Sequence, residues 1–416
     1  MSELKKTDPE IYQIIELEKQ RQKEGLELIA SENYVSEAVL EAMSSVLTNK
    51  YSEGYPGKRY YGGNEIIDQA ENVAISRAKQ LFGAEHVNVQ PLSGGPANLA
   101  VYIALLQPGD KVLGFSLDQG GHLSHGHPMN FSGKLYSIVP YFVERETEII
   151  NMDEVEEIAL REKPKMILAG FSAYSRNLNW KRFKEIADKI NAVTFADIAH
   201  IAGLIAGGQI ENPVPFFDVV STTTHKTLRG PRGAIIMCKE KFAAAIDRAV
   251  FPGIQGGPHD HITAAKAVAF GEALKPEFQE YSKQVIKNAR ALAKALQGDG
   301  YRVISGGTDN HIVLLDVFGS KNVTGKEAEK ALEKAGISVN KNMIPYDERK
   351  PLDPSGIRLG AAAATTRGMK EEEIKQVAKY ISKAIENHNN DEILGNLKNQ
   401  VKELCAGFPV PGTKLL

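Results

Sequence analysis

The chain has 416 residues, 42% of them hydrophobic and 25% charged, with 50 basic against 52 acidic side chains. It is long enough for two or three domains with sizeable cores, and its balance of charge gives no pull toward nucleic acid or a membrane surface. Met1-Ser2-Glu3-Leu4-Lys5-Lys6 lacks an apolar signal core, the longest apolar run (100–106) is too short to span a bilayer, and Cys238 and Cys405 are isolated, so a cytoplasmic protein is expected.

Asp8-Pro9-Glu10 reads as a helix start, a capping acid followed by proline, with Ile11, Ile14, Ile15 and Leu17 recurring behind it. This short amphipathic segment suits packing on a second subunit. After a polar cluster at 31–34, the stretch 50–63 carries four tyrosines, four glycines and a proline, which rules out a regular helix or central strand. Loops of that composition carry function more often than structure.

Ile66, Ile67, Ala70, Val73, Ala74, Ala78 and Leu81 follow helical spacing behind Asn64 as a cap. A strand at 86–89 runs into Ser93-Gly94-Gly95 and a helix over 99–106. A strand, a glycine-rich turn and a helix aim backbone N–H groups at an anion, although no Walker-type lysine follows and the spacing is not the dinucleotide fingerprint. His122, His125 and His127 lie among glycines, but no carboxylate or cysteine cluster completes a metal set in the sequence, and no metal is expected. An imidazole laid against a flat cofactor ring is the better use for one of them.

From Met166 the pattern alternates strand and helix: strands at 166–169 and 193–196, a helix marked by Phe183, Ile186, Ala187 and Ile190, and a strand at 216–220. Such alternation implies a mostly parallel sheet whose ligands lie at the carboxyl ends of its strands. Ser172, Asp197, His200 and Lys226 all fall just past such ends. Lys226 sits in Thr222-Thr223-Thr224-His225-Lys226-Thr227, before Gly230-Pro231-Arg232-Gly233 and a second strand at 234–237. Burial and cationic neighbours make a lysine amine available as a carbonyl nucleophile. Beyond a Gly/Pro loop at 251–259, a long helical tract over 264–296 leads into a second mixed pattern. Strands are expected there at 312–315 and 336–339, and helices at 326–334 and 371–385. Arg358, on a short apolar segment, is a candidate clamp for a carboxylate.

A nucleophilic lysine, an aspartate at a strand end, an anion-binding turn and a carboxylate clamp together fit pyridoxal phosphate chemistry on an amino acid. Which bond is broken does not follow from these features alone. Longer motifs narrow it. Lys50 to Gly63, Gly120-Gly121-His122-Leu123-Ser124-His125-Gly126, Asp197-Ile198-Ala199-His200-Ile201-Ala202-Gly203, Val220 to Gly233, Phe251 to Pro258 and Ser305 to His311 resemble serine hydroxymethyltransferase, in order and with that family's spacing.

The resemblance implies an α/β, fold-type-I enzyme with a mostly parallel central sheet, helices on both faces and a smaller C-terminal α/β domain. It implies an N-terminal arm and dimer-contact segment over 1–60, a large cofactor domain over 61–278 and a small domain over 279–416. The implied reaction moves the serine hydroxymethyl carbon to tetrahydrofolate through an external aldimine, giving glycine and 5,10-methylenetetrahydrofolate. The implied assembly is a homodimer with shared active sites, or a tetramer. A folate-independent, threonine-type aldolase on the same scaffold is the alternative.

Carried over residue by residue, the resemblance makes Lys226 the Schiff-base lysine and Asp197 the partner of the ring nitrogen. It stacks His122 on the ring and brings Ser172 and His200 to the 3′-oxygen. Ser93, Gly94 and Gly95 bind the phosphate, with Gly257 and Tyr51 from a partner subunit. Arg358 and Ser31 hold the substrate carboxylate, and Glu53 and Tyr61 handle proton transfer. Thr223 assists exchange at the lysine, and His225 sets specificity. Leu117, Gly121, His122, Leu123, Asn342, Lys350, Pro351 and Leu352 line the folate site together with Glu53. The sequence departs from the family in having glycine third in the 93–95 turn, Lys350-Pro351-Leu352 at a folate contact, and Ala361-Ala362 after the arginine strand.

Overall fold

The computed structural model describes residues 2–413; Met1 and 414–416, the outermost ends of the expected 1–60 and 279–416 segments, lie outside the described residues. The chain divides into two compact units, 38–283 and a second made of the N-terminal stretch to Glu37 with everything from Gln284 on. The expected divisions after residues 60 and 278 therefore differ from those observed. Residues up to 37 fold with the C-terminal stretch because Leu26 and Glu27 pair in parallel with Ile337 and Ser338. Leu26 and Leu28 are then buried in one core with Val313, Leu332 and Leu359. Fully burying side chains of this size stabilises by about 1.5–3 kcal/mol each.

The larger unit is built on a seven-stranded sheet. In hydrogen-bonded order its strands are His86–Asn88, Ala234–Cys238, Val219–Thr223, Val193–Asp197, Met166–Gly170, Lys111–Phe115 and Ser137–Tyr141. Only Ala234–Cys238 runs against its neighbours. Met166–Gly170 and Ala234–Cys238 are buried at every position, as expected of strands covered on both faces, which read as unbroken apolar runs.

Three local expectations need correction. The strand expected at 216–220 lies at Val219–Thr223. Its threonines are tolerated in the sheet because they find acceptors: Thr222 Oγ1 donates to Thr223 O at 2.9 Å and Thr223 Oγ1 to Ala199 O at 3.3 Å. The helical tract expected over 264–296 is two helices, Asp260–Ala273 and Pro276–Gly298, since Pro276 lacks the N–H needed to continue a helix and suits the start of one. Asn64 stands at the cap position of Glu65–Phe82 without capping it; its amide instead donates to Tyr61 O at 2.9 Å, closing the tyrosine loop.

The smaller unit carries a four-stranded antiparallel sheet in the order Arg302–Val303, Ile312–Asp316, Gly356–Gly360, Asn340–Asn342. Arg358 sits on an inner strand, facing Leu314 on one side and Asn340 on the other.

Candidate active site

Three neighbouring parallel strands end at Gly170, Asp197 and Thr223, with Asp197 in register between Gly170 and Ser221. Ser172, His200 and Lys226 follow these ends within three residues, so the sheet gathers at one edge what the sequence spreads over 55 positions. Asp197 is held by three donors. Its Oδ2 accepts from Asn98 Nδ2 at 2.8 Å and from His125 Nε2 at 3.0 Å, and Oδ1 accepts from Ala199 N at 3.0 Å. His125 Nδ1 itself accepts from His122 N at 3.3 Å, which leaves Nε2 as the nitrogen that carries the proton. Burial pushes the Asp197 carboxyl up, but the hydrogen bond from His125, the electrostatic pull of His125 and His122, and the hydrogen bond from Asn98 together outweigh it and hold the group below the usual carboxylate range. Three of its roughly four acceptor sites are thus used, and one is left for a further donor.

Behind the carboxylate runs a network that sequence reasoning missed. Ser221 Oγ donates to Asn98 Oδ1 at 2.7 Å, Asn98 Nδ2 to Ser124 Oγ at 2.7 Å, and Ser124 Oγ lies 2.7 Å from His122 Nδ1. The Asp197 carboxylate and the His122 ring are therefore oriented by one asparagine. Its signal was a lone amide in the apolar helix that follows the glycine turn. The structure also corrects the histidine reading, because Asp197 supplies the carboxylate missing from the sequence neighbourhood. His122, His125 and Asp197 bring ligand-type atoms within 4.8 Å of one another. His125 and Asp197 already bond to each other, and His122 Nδ1 is taken by Ser124.

The glycine turn starts its helix earlier than the expected 99–106, at Gly94–Leu105, with Ser93 as the cap residue and its hydroxyl making no capping bond. A Cβ on Gly94 would lie 2.9 Å from Thr223 Cγ2, whereas one on Gly95 would meet nothing within 4 Å. The turn is thus pressed against the Lys226 segment at one glycine and open at the next.

Lys226 is 8% exposed, in a loop closed on itself. Thr224 N donates to Gly233 O at 3.0 Å, Gly230 N to Thr224 O at 2.7 Å and Arg229 N to Lys226 O at 3.1 Å. Arg229 takes a left-handed φ of 57°, a conformation that costs a non-glycine residue about 1–3 kcal/mol. Its guanidinium lies over Tyr281, 4.0 Å from the ring centre, and Tyr281 Oη donates to Thr227 O at 3.1 Å. Thr227 Oγ1 in turn donates to His200 O at 2.8 Å and accepts from Gly203 N at 3.0 Å. Beside the lysine, His225 is held neutral: burial lowers it to about 3, with Arg232 and Lys226 adding to the effect.

The 117–126 segment docks on the residues after Gly170, since Ser172 N and Ala173 N both donate to Gly120 O, at 2.7 and 3.0 Å. This places Leu117, Gly121, His122 and Leu123 beside Ser172. A second cluster in the same unit joins Tyr51, Glu53, Gly256 and Gly257. Tyr51 Oη donates to Glu53 Oε1 at 3.2 Å, and Cβ atoms built on Gly256 and Gly257 would lie 3.1 Å from the Glu53 carboxylate and 3.3 Å from the Tyr51 ring. Tyr61 meets Tyr51 edge to face at 5.1 Å.

In the smaller unit Arg358 is 8% exposed and donates Nε–H to Asn340 Oδ1 at 3.0 Å. Burial lowers its pKa to about 10, which still leaves it charged at neutral pH. Asn340 Nδ2 reaches Asn342 Oδ1 at 3.4 Å. Ser31 follows Ala30, which packs on Gly360 at the end of the arginine strand. Lys350, Pro351 and Leu352 form an exposed turn.

These residues fit pyridoxal phosphate: a buried amine, an ionised carboxylate with an acceptor site to spare, and a helix N-terminus with open space at Gly95. The family model for serine hydroxymethyltransferase matches residues 4–381, and a match of that extent does not favour the aldolase alternative. The chain belongs to the serine hydroxymethyltransferase family: it is a pyridoxal-phosphate enzyme that interconverts serine and glycine, with tetrahydrofolate as its one-carbon co-substrate.

Proposed function

We propose that the strand-end edge of the larger unit holds the cofactor, and that the side chains expected from the sequence divide the hydroxymethyl transfer among them. The observation that carries this reading is the buried Asp197 carboxylate, kept ionised by its own chain and set in register beside the strand that leads to Lys226. Once bound, the cofactor supplies an electron sink for the pair left on the amino acid's α-carbon. Lys226 would hold the aldehyde and move protons at its amine, with Thr223 steadying that exchange. Asp197 would keep the proton on the ring nitrogen by accepting its hydrogen bond. His122 would lie against the ring, and Ser172 and His200 would reach the 3′-oxygen. Ser93 with the N–H groups of Gly94 and Gly95 takes the phosphate at the start of a twelve-residue helix. Neutral His225 adds no second charge beside the lysine and shapes what can approach it.

Arg358, with Ser31, clamps the substrate carboxylate; a desolvated guanidinium in a fixed rotamer suits a planar, two-pronged anion. Glu53 and Tyr61 move the proton at the serine hydroxyl, where a carboxylate and a phenol give both an acceptor and a donor. Leu117, Gly121, His122 and Leu123, with Glu53, Asn342, Lys350, Pro351 and Leu352, serve the folate. Tyr51, Glu53, Tyr61 and Gly257 serve the site of a partner subunit in a homodimer, from which a tetramer can be built. Supporting this, Tyr51 and Tyr61 are 53% and 49% exposed, and Ile11, Ile14 and Leu17 form an uncovered apolar stripe. Two buried, unpaired thiols support a cytoplasmic setting, and among the described residues no helix is long and apolar enough to cross a membrane.

Replacing Lys226 with alanine tests the reading directly. The purified protein should carry an absorbance band at the edge of the visible and lose it in Lys226→Ala; a variant that kept the band would remove Lys226 from its role. Serine cleavage should depend on tetrahydrofolate, and cleavage indifferent to folate but fast on allo-threonine would overturn the transfer assignments.

A further inference from the structure

Among the described residues, Lys266 is the one charged side chain of the largest fully buried ones, 1% exposed in the middle of Asp260–Ala273. Its ammonium donates to Val89 O at 2.6 Å, Ala234 O at 2.9 Å and Pro91 O at 3.0 Å. Burial lowers the amine to about 7, against which three carbonyls accept from it, the full complement of an ammonium group and one more than a neutral amine can serve. The carbonyls belong to two segments that matter for the cofactor. Val89 and Pro91 lead into Ser93-Gly94-Gly95, and Ala234 ends the loop that carries Lys226. Ala234 N also donates to Pro91 O at 3.1 Å, so Pro91 O is where both ties meet. Gly233 makes room for the lysine, since a Cβ there would lie 2.5 Å from Lys266 Cε.

We propose that Lys266 is a positioning residue for the cofactor, its ammonium fixing the phosphate-binding turn against the Lys226 loop through the carbonyls of Val89, Pro91 and Ala234. The proposal rests on the reading that Ser93, Gly94 and Gly95 take the phosphate. Val89 and Pro91 stand only two to four residues ahead of Ser93, and Gly94 touches Thr223, the residue paired with Ala234. Without the ammonium, the turn is tied to the end of the loop only by the bond from Ala234 N to Pro91 O, with the pairing of His86–Asn88 on Ile236 to Cys238 behind it, and the turn is less closely held relative to the lysine.

The test is equilibrium binding of pyridoxal phosphate and of pyridoxal to the full-length protein stripped of cofactor, for wild type, Lys266→Met and Phe270→Leu. Phe270 is fully buried on the same helix, so its truncation reports general destabilisation, read as the unfolding midpoint of the stripped protein. The wild type should prefer the phosphorylated form; equal binding of both would overturn the phosphate assignment and this proposal with it. Lys266→Met should weaken pyridoxal phosphate about tenfold more than pyridoxal, while Phe270→Leu keeps the wild-type preference despite a lower midpoint. A Lys266→Met protein that keeps the preference, or a Phe270→Leu protein that loses it equally, overturns the role of Lys266 and leaves the phosphate assignment standing. If Lys266→Met does not fold, Lys266→Gln, which keeps an amide donor, is held to the same ratio with an expected change of about threefold; an unchanged ratio overturns the proposal.

Discussion

The Asp197 cluster and the 51–61 loop are both polar and densely hydrogen-bonded, but they spend their bonds differently. Around Asp197 the bonds go to the functional atoms themselves: Asn98, His125 and the Ala199 amide all point at the carboxylate. In the loop, apart from the bond from Tyr51 Oη to Glu53, the bonds go mostly to the backbone and to groups given no part in the chemistry. Arg59 donates to Ser52 O at 2.8 Å and Gly54 O at 2.9 Å while pairing with Asp68 at 2.8 Å and Glu71 at 2.6 Å. Ser52 Oγ donates to Asp260, and Tyr55 Oη to Asp247 O. The outcome is a rigid loop whose Tyr51, Tyr60 and Tyr61 rings face outward. The first region is a carboxylate whose hydrogen bonds all come from its own chain; the second is a shaped surface with its tyrosine rings left uncovered, which is how a group serving another subunit should look.

That contrast breaks first at the carboxylate. Asp197→Asn keeps the size of the side chain and removes the charge proposed to hold the ring proton, so kcat should fall by on the order of 10³-fold, with cofactor still bound. Steady-state kinetics alongside the cofactor spectrum would check this; a fall in cofactor content that accounted for all of the lost activity would count against it. Glu53→Gln should cost about 10²-fold in folate-dependent serine cleavage with the cofactor spectrum unchanged. Mixing Glu53→Gln with Lys226→Ala protein should raise activity well above that of either variant alone if the loop serves the partner's site; no gain on mixing would leave each chain working alone.

The sequence made the Asp197 and His200 positions readable because they follow a short apolar run, and Lys226 because it stands between two such runs, and parallel sheets place function at strand ends. The orienting network was not readable for a physical reason. Asn98 and Ser221 are 123 positions apart, and each taken alone resembles an ordinary polar residue in a helix or strand. Only the packing of Gly94–Leu105 on the sheet turns them into partners. The strand boundary at Val219 was misplaced because Phe216 and Phe217 are apolar, whereas the buried threonines that form the strand pass for polar until their hydroxyls are seen bonded to carbonyls. The N-terminal stretch was assigned apart because a two-residue parallel pairing, Leu26 and Glu27 on Ile337 and Ser338, leaves almost no local pattern.

Asn98 offers a finer test. Asn98→Ala removes donors from both Asp197 and Ser124 without touching a reacting atom. Leaving buried acceptors unserved costs about 1–3 kcal/mol, so kcat should fall about 10- to 100-fold. The pH profile should separate this from simple destabilisation. Asp197 loses one of the hydrogen bonds that keep its carboxyl low, so the acid limb of activity should move to higher pH. A loss of activity with an unmoved acid limb would mean that Asn98 serves only packing.

His225 gives the smallest effect and the one most specific to the lysine loop. Its folded pKa of about 3 lies below the unfolded value near 6.5, so the buried ring favours the folded state fully only above pH about 6.5. As pH falls from about 6.5 toward 3, the unfolded chain binds a proton that the folded one refuses, and stability is lost. At about pH 5.5 one unit of that window has been crossed, worth about 1 kcal/mol after allowance for the ring's partial exposure. His225→Gln removes the titration, so the difference in urea-unfolding free energy between about pH 8 and pH 5.5 should shrink by about 1 kcal/mol relative to wild type. An equal acid sensitivity in both proteins would mean that the ring is not held neutral beside Lys226, and that the loop is a wetter and less cationic place than its burial implies.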